Sequence, residues 1–476
     1  MRIIQNRMID RKVIRFVFLV GFLFGVVIPS ARGMAVQEAP DAPIYIVKSG
    51  DSLWDIAARF RVSIDDLARI NNIQNLNQLN AGMQLVIPGL EGVQGVLETQ
   101  TVAFGENLRS ISRRAQLPVD AIVKLNHLTS PAELYVGSTM VLTTAPGSSD
   151  LSIRTAIAPG QSLLEMAVLT GSNPWSVVRE NWLKGTVSSL PGDVFLLPGD
   201  ATGGPGAFPG DIQSAELSPG VLIQGKAAEI KLDGEPGYSL HGILVDKPLN
   251  FFQVQNGQYV ALEGIHAMLP PGIYPLVITG TLSSGAPMEF SQGVLVNSGD
   301  YPFDAALKVS PETIDPAVTQ PEDAQWFALT KPVTLEKQWD GKFLSPVPKE
   351  YADCFPSRFG SRRSYNGSEY KYFHTGLDFC GKEGTDIYAP AAGTVVFAGP
   401  LTVRGNATVI DHGWGLYTAY MHQSEILVQP GEKVEPGQLI GRIGRTGRVT
   451  GPHLHFEVWV GGIQVDPMDW LENAYP

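Results

Sequence analysis

The sequence predicts a multidomain, mainly β chain. It reads as small β-α-α-β modules near the amino terminus, a β-sandwich in the middle and an all-β domain at the carboxyl end. Three observations carry this. The 476 residues exceed what one domain usually holds. A pattern of glycine, leucine and asparagine recurs along the first 200 residues. Short β-branched runs between turn residues fill most of the rest. Hydrophobic content of 44% and charged content of 17% are globular values. The net charge is −12 without a long basic run, so no nucleic acid is expected as a partner.

Residues 1–35 read as a targeting segment. Arg2, Arg7, Arg11, Lys12 and Arg15 precede an apolar run from Phe16 to Ile28. That run is short for a membrane span, which needs roughly 20 apolar residues. Small residues at Ala31, Gly33 and Ala35 fit a secretory signal cleaved after Gly33 or Ala35. The alternative is an uncleaved anchor, the one route by which the chain would touch a membrane. Both readings put the remainder outside the cytoplasm.

Residues 44–88 form the first module. Tyr45-Ile-Val47 reads as a strand, Gly50-Asp-Ser52 as a turn with Asp51 or Ser52 as helix N-cap, and Leu53, Ile56, Ala57 and Phe60 as a helix face. Ser63 caps a second helix, Asn71-Asn72 ends it, and Leu85-Val-Ile87 is a second strand. This unit resembles a LysM domain. The resemblance implies binding of N-acetylglucosamine-containing glycans such as peptidoglycan or chitin. Its binding loops match Gly50, Asp51, Ser52 and Leu53, and Asn72 and Ile73.

The unit repeats. Gly50, Leu53, Ile56, Asn71, Leu79 and Gly82 map onto Gly105, Leu108, Ile111, Asn126, Leu134 and Gly137. A second shift brings Gly50, Ser52, Leu53, Ala57, Asn71, Gly82 and Pro88 onto Gly160, Ser162, Leu163, Ala167, Asn181, Gly192 and Pro198. Three tandem LysM-like units are therefore expected, at 44–88, 99–143 and 154–198. In the later two the loops diverge: Glu106-Asn107 and Gln161 stand where Asp51 and Ser52 stood, and Trp182 replaces Asn72. The apolar frame persists better than the loop chemistry.

A Gly/Pro-rich linker over 200–210 leads to residues 211–299. There Gly220-Val-Leu-Ile-Gln224, Gly242-Ile-Leu-Val245, Gln258-Tyr-Val-Ala-Leu262, Gly272-Ile-Tyr-Pro-Leu-Val-Ile278 and Gly293-Val-Leu-Val296 alternate with turns. Evenly spaced strands of this kind suggest an immunoglobulin-like β-sandwich serving as spacer or docking module. His241 and His266 stand alone in it and read as structural or solvated. Residues 300–342 are Pro-rich and read as a linker with one short helix near Pro321 to Leu329.

The chemistry concentrates in residues 343–476. Five of the eight histidines lie from His374 to His455. Thr450-Gly-Pro-His-Leu-His-Phe-Glu-Val-Trp-Val460 reads as a strand after a turn, so His453 and His455 share a face. His374-Thr-Gly-Leu-Asp378 puts a histidine and a carboxylate on one face, and His422 lies in another strand-like run. Catalytic zinc commonly takes three such ligands and keeps a fourth position for water. His374, Asp378 and either His453 or His455 would supply them. The remaining histidines would be free for proton transfer and oxyanion stabilisation.

These residues, with Ser357-Arg-Phe-Gly-Ser-Arg-Arg363, Ala389-Pro-Ala-Ala-Gly-Thr-Val395, Asp411-His-Gly413 and Tyr420-Met-His422, resemble the lysostaphin/LytM-type zinc metallopeptidases. The resemblance implies a compact, mainly antiparallel β domain with its site in a groove. It makes His374, Asp378 and His455 the Zn2+ ligands and His422 and His453 the catalytic histidines. It implies an enzyme that hydrolyses the peptide part of peptidoglycan in the cell wall. The family also has members that lost their ligands and activate amidases, so a wall-binding regulator is the alternative; all five positions present here favour the enzyme. His412, in a turn-like Asp-His-Gly, reads as structural. The two cysteines, Cys354 and Cys380, flank the stretch holding His374 and Asp378. An exported chain permits a disulfide between them; free buried thiols or thiolate zinc ligands are the alternatives.

Overall fold

The computed structural model describes residues 42–476, apart from 145–150, 159, 190–192, 200–203, 256, 283–284 and 286. The targeting segment expected over 1–35 lies outside the described residues. Among those described, no helix is long and apolar enough to cross a membrane.

Strands Ile44–Ile46 and Gln84–Val86 pair around helices Leu53–Arg59 and Ile64–Ile70. Ser52 rather than Asp51 is the N-cap of the first helix, accepting from the Asp55 amide, and Ser63 caps the second. Strands Val96–Thr101 and Thr139–Thr144 enclose helices Leu108–Ala115 and Val119–Asn126 in the same way. The parallel pairing of Ile44 with Val96 fuses the two units into one four-stranded sheet. A third β-α-α-β run follows, with strands Leu151–Ala156 and Val194–Pro198 around helices Leu163–Leu169 and Pro174–Glu180.

One side chain does the same work in all three. The Asn71 amide donates to the Leu67 and Val86 carbonyls, and its oxygen accepts from the Val86 amide. Asn126 makes the corresponding bonds to Ile122 and Val141, and Asn181 to Val177 and Leu196. Each asparagine thus closes the end of its second helix onto the returning strand. This accounts for its recurrence where the loops around it change.

Residues 212–297 form two sheets, of five and four strands, over one core containing Ile230, Leu232, Leu276, Ile278, Val294 and Val296. The second module docks on this body. Gln292 donates to the Ala103 carbonyl and accepts from the Gly105 amide, and the Val136 amide donates to the Gly293 carbonyl.

Residues 300–342, expected as a linker, are built into the next domain. Helix Pro316–Thr330 extends beyond the short helix anticipated, and its Trp326 is fully buried with Val409, Tyr417 and Trp459. Glu322 accepts from the Val403 and Arg404 amides at 2.8 and 3.0 Å. Trp339 sits in the carboxyl-terminal core against Trp414, so that core starts before residue 343. Apolar residues spaced widely in a Pro-rich stretch concealed this docking.

The carboxyl-terminal domain is a nine-stranded sheet. Its central order is Leu377–Phe379, Leu454–Val460, Leu416–Ile426, Gly405–Gly413, Gly393–Leu401 and Lys433–Val434, all antiparallel. Strand Leu454–Val460 is buried throughout, so register is strongly specified.

Candidate active site

Register brings the site together. Asp378 and Met421 lie opposite His455 on the two strands that flank it. Side chains opposite each other in a sheet share a face. His374 comes from the loop preceding Leu377–Phe379, which the Cys354–Cys380 disulfide ties at its base. A cross-link of this kind is worth about 2–4 kcal/mol.

Three donor atoms converge. His374 Nε2 lies 3.0 Å from Asp378 Oδ1 and 3.0 Å from His455 Nδ1, and the last two are 2.9 Å apart. This spacing suits ligand atoms around one four-coordinate zinc with bonds of about 2 Å. The outer nitrogens of both histidines are occupied. His374 Nδ1 donates to the Arg358 carbonyl at 2.9 Å, and His455 Nε2 donates to Glu457 Oε1 at 3.2 Å. These bonds fix the tautomers so that the converging nitrogens carry lone pairs, the arrangement metal-binding histidines need. Among the described residues, this is the one group of three His, Cys, Asp or Glu side chains that could hold a metal ion.

The electrostatics agree with a cation site. Burial works against a charge on His455, but hydrogen bonds and charge from Asp378 and Glu457 outweigh it and raise its pKa to about 9. Burial would raise the Asp378 carboxyl, yet His374 and His455 hold it well below the usual carboxylate range. The pocket therefore favours a positive charge at its centre.

His422 and His453 stand beside this group, with ring centroids 5.0 Å apart. His422 Nδ1 donates to the Thr446 carbonyl at 2.8 Å, and His453 Nδ1 to the Gly451 carbonyl at 2.9 Å. Each ring is left with an unprotonated Nε2. Burial pulls the His422 pKa down to about 3, helped by the nearby His455 and His453. His422 also has a positive φ of 65°, uncommon for a residue other than glycine and a mark of local constraint.

Asp378, His422, His453 and His455 line a groove of about 1140 Å³, while His374 is buried. Its far wall comes from elements that sequence reasoning left out of the site. Asp304, Leu307 and Phe327 reach it from the connector, and His266 from the sandwich. The connector backbone pairs with residues 362–366, for example Asp304 N to Arg362 O at 2.9 Å and Leu307 N to Ser364 O at 2.9 Å. Glu457 was also missed. The alternation that pairs His453 with His455 puts Glu457 on the same face, so the signal was present. His412 lies elsewhere, fully buried, donating to the Ala392 carbonyl and bonded to Thr418.

The residues expected to bind glycan behave differently from one another. Gly50 and Asn72 are exposed and both have positive φ. Leu53 is in the module core, so only its backbone is available to a ligand. The Asp51 carboxylate is occupied inside the module by the Tyr45 hydroxyl, the Lys48 amide and Arg59. Ser52 is engaged as N-cap, and Ile73 is half-buried.

Residues 372–467 match the profile of Peptidase family M23, and residues 45–88 and 101–143 match the LysM domain. The chain is similar to the peptidoglycan DD-endopeptidase ShyA of Vibrio cholerae, 45% identical over 24% of this chain and 26% of the relative. It is also similar to the DD-carboxypeptidase/endopeptidase Mpg of Neisseria meningitidis, 42% identical over 20% of this chain and 22% of the relative. The chain thus spans about a quarter of the length of these curated relatives. Among solved structures, a zinc-containing peptidase from Vibrio cholerae aligns over 89% of this chain and 98% of its own, at 18% identity and a TM-score of 0.26. Similarity to Peptidase family M23 thus lies at the carboxyl end of the chain, and similarity to the LysM domain recurs twice near its amino end.

Proposed function

We propose that the protein is a zinc-dependent endopeptidase that binds peptidoglycan through its LysM domains and hydrolyses peptide bonds in its cross-links. The convergence of His374 Nε2, Asp378 Oδ1 and His455 Nδ1 within 3.0 Å of one another carries this reading. The family match and the relatives named as peptidoglycan DD-endopeptidases support it. His374, Asp378 and His455 would hold the metal. When bound, zinc polarises a carbonyl and makes water acidic enough to attack near neutral pH.

The chain's own groups would supply the proton steps. His422 and His453 each present a lone pair at Nε2, because each Nδ1–H is fixed on a backbone carbonyl. One accepts the proton of the attacking water and passes it to the leaving amine. Protonated at Nε2, either ring becomes a donor for the developing oxyanion. Glu457 orients His455 and is itself held by the indoles of Trp326 and Trp459, at 3.1 and 2.8 Å.

The run at 151–198 is read as a third LysM-like module, supported by the Asn181 bonds that repeat those of Asn71 and Asn126. The double sheet at 212–297 is read as an immunoglobulin-like spacer. A glycan-binding protein of this kind acts outside the cytoplasm, at the wall.

The test uses the full chain and its His455→Ala, Glu457→Gln, His422→Ala and His453→Ala variants. Zinc content is measured by elemental analysis, and products of one cross-linked muropeptide by mass spectrometry. His455→Ala should lose zinc and activity together, and Glu457→Gln should hold zinc about 10–100-fold more weakly. His422→Ala and His453→Ala should keep zinc and lose at least about 100-fold in rate. Full zinc in His455→Ala, or a wild-type protein that releases no peptide product, refutes the reading.

A further inference from the structure

The groove that holds the histidines also carries cationic side chains, some of which no carboxylate pairs among the described residues. Arg363 and Arg404 line the groove and are paired, with Asp304 at 3.5 Å and with Glu322 and Asp323 at 3.0 and 2.8 Å. Arg358, Lys371 and Arg448 also line it, and none has a carboxylate partner within 4.0 Å among the described residues. Each rests on an aromatic face instead: Arg358 on Phe355 at 5.0 Å, Lys371 on Tyr372 at 5.6 Å and Arg448 on Tyr365 at 4.6 Å. The Tyr365 and Tyr372 rings are themselves in contact, with centroids 5.4 Å apart. Arg448, Tyr365, Tyr372 and Lys371 therefore make one continuous patch.

The patch is built rather than incidental. Tyr365 is buried, and the Arg448 guanidinium is oriented by a bond of 3.0 Å to the Thr313 carbonyl of the connector. A guanidinium has five N–H donors, of which this bond uses one. A ring face attracts a cation but leaves its remaining donors unsatisfied. The carboxylates that might serve them are committed elsewhere: Asp304 and Asp323 to arginines, and Asp378 to His374 and His455. In a chain of net charge −12, an uncompensated cationic wall on the substrate groove calls for an anion from outside.

We propose that Arg448 and Lys371 form a specificity subsite of the groove that binds a free carboxylate of the peptide substrate. The inference rests on the endopeptidase reading for the reaction but not for the binding. The guanidinium edge pairs with the carboxylate by charge-assisted hydrogen bonds, the ammonium adds a second point charge, and the tyrosine faces cover the adjoining chain.

The full chain with zinc is assayed on a cross-linked stem peptide as the free acid and as its carboxamide. Wild type should prefer the acid by roughly tenfold or more in kcat/KM, mostly through KM. That preference should collapse toward unity in Arg448→Gln, fall partway in Lys371→Gln and be largely retained in Arg448→Lys. Lys371 is exposed, so its variant carries the test if Arg448→Gln fails to fold. Calorimetric binding of the uncross-linked peptide, as acid and amide, is measured alongside. Acid-selective binding lost in the variants upholds the subsite even if no bond is cut, in which case the endopeptidase reading falls alone. Equal treatment of acid and amide by the wild type, or a preference that survives both glutamine substitutions, overturns the subsite and leaves the endopeptidase reading standing.

Discussion

His412 and His455 are both buried in one sheet, and their partners drive them in opposite directions. Around His455, Asp378 and Glu457 favour the charged ring despite burial. Around His412 there is no carboxylate partner among the described residues; burial lowers its pKa to about 4, with the Ala392 carbonyl giving only partial support to the cation. The Ala392 carbonyl can only accept, so the proton sits on Nδ1, and Nε2 accepts from the Thr418 hydroxyl at 2.8 Å. The sign of the pH effect follows. The unfolded chain binds a proton near pH 6.5, whereas folded His412 waits until about 4. Its contribution to stability is thus complete above about pH 6.5 and is lost as the pH falls toward 4. By pH 5 the loss is about 2 kcal/mol. His412→Gln should therefore destabilise the domain at pH 7.5, and the gap from wild type should narrow steadily down to pH 5. Denaturant midpoints of both proteins across that range test this, and a gap of constant size would refute it.

At the scale of elements, what the sequence made legible was periodic. Alternation at His453 and His455 marked one strand face of the candidate site, and the repeat of Leu53, Asn71 and Gly82 marked the β-α-α-β runs. The connector was misread because its anchoring is not periodic. Glu322, Trp326 and Trp339 bond or pack against strands far away in sequence, and only the folded sheet offers them partners. For the same reason the groove's far wall was invisible, whereas its histidines were not. A consequence can be measured. A fragment of residues 343–476 would uncover Trp459, Tyr417 and Val409, which Trp326 covers in the whole chain. It would also leave the buried Glu457 without one of its indole donors. Exposing that much aromatic surface costs several kcal/mol at about 25 cal/mol per Å². A fragment of residues 300–476 should melt at least about 5 °C higher and stay monodisperse, since 1 kcal/mol is worth roughly 2–4 °C in a domain of this size. Equal melting temperatures for the two fragments would mean that the helix is only resting on the sheet.

Across the whole molecule, the sandwich meets the carboxyl-terminal domain through an apolar seam, where Ala227, Phe252, Val260 and Leu262 share its core, through Arg362, which donates to the Ala267 carbonyl at 2.8 Å, and through one partly buried ion cluster. Lys226 contacts Asp466 at 2.9 Å and Asp469 at 2.7 Å, and the Asp466 amide donates to the Gly225 carbonyl at 2.7 Å. Gly264 lets the sandwich strand come close to Val460 and Ile463, where a side chain would strike the Val460 carbonyl. This docking has a functional side, because His266 and Met268 follow that strand and line the groove. Replacing the lysine by an uncharged side chain of similar length leaves two carboxylates facing each other in a partly buried seam. Removing one partner from such a cluster costs more than the pair contributed, on the order of 2 kcal/mol or more. In Lys226→Met the sandwich and the peptidase domain should therefore unfold as separate calorimetric transitions, whereas in the wild type they should melt together. Proteolysis within residues 298–310, where the chain passes from one body to the other, should quicken in parallel. The proposed metal-binding residues His374, Asp378 and His455 lie outside this seam, so the variant's zinc content should match wild type, which separates undocking from general misfolding. A single shared transition with unchanged proteolysis would show that backbone and apolar contacts hold the two bodies together without the lysine.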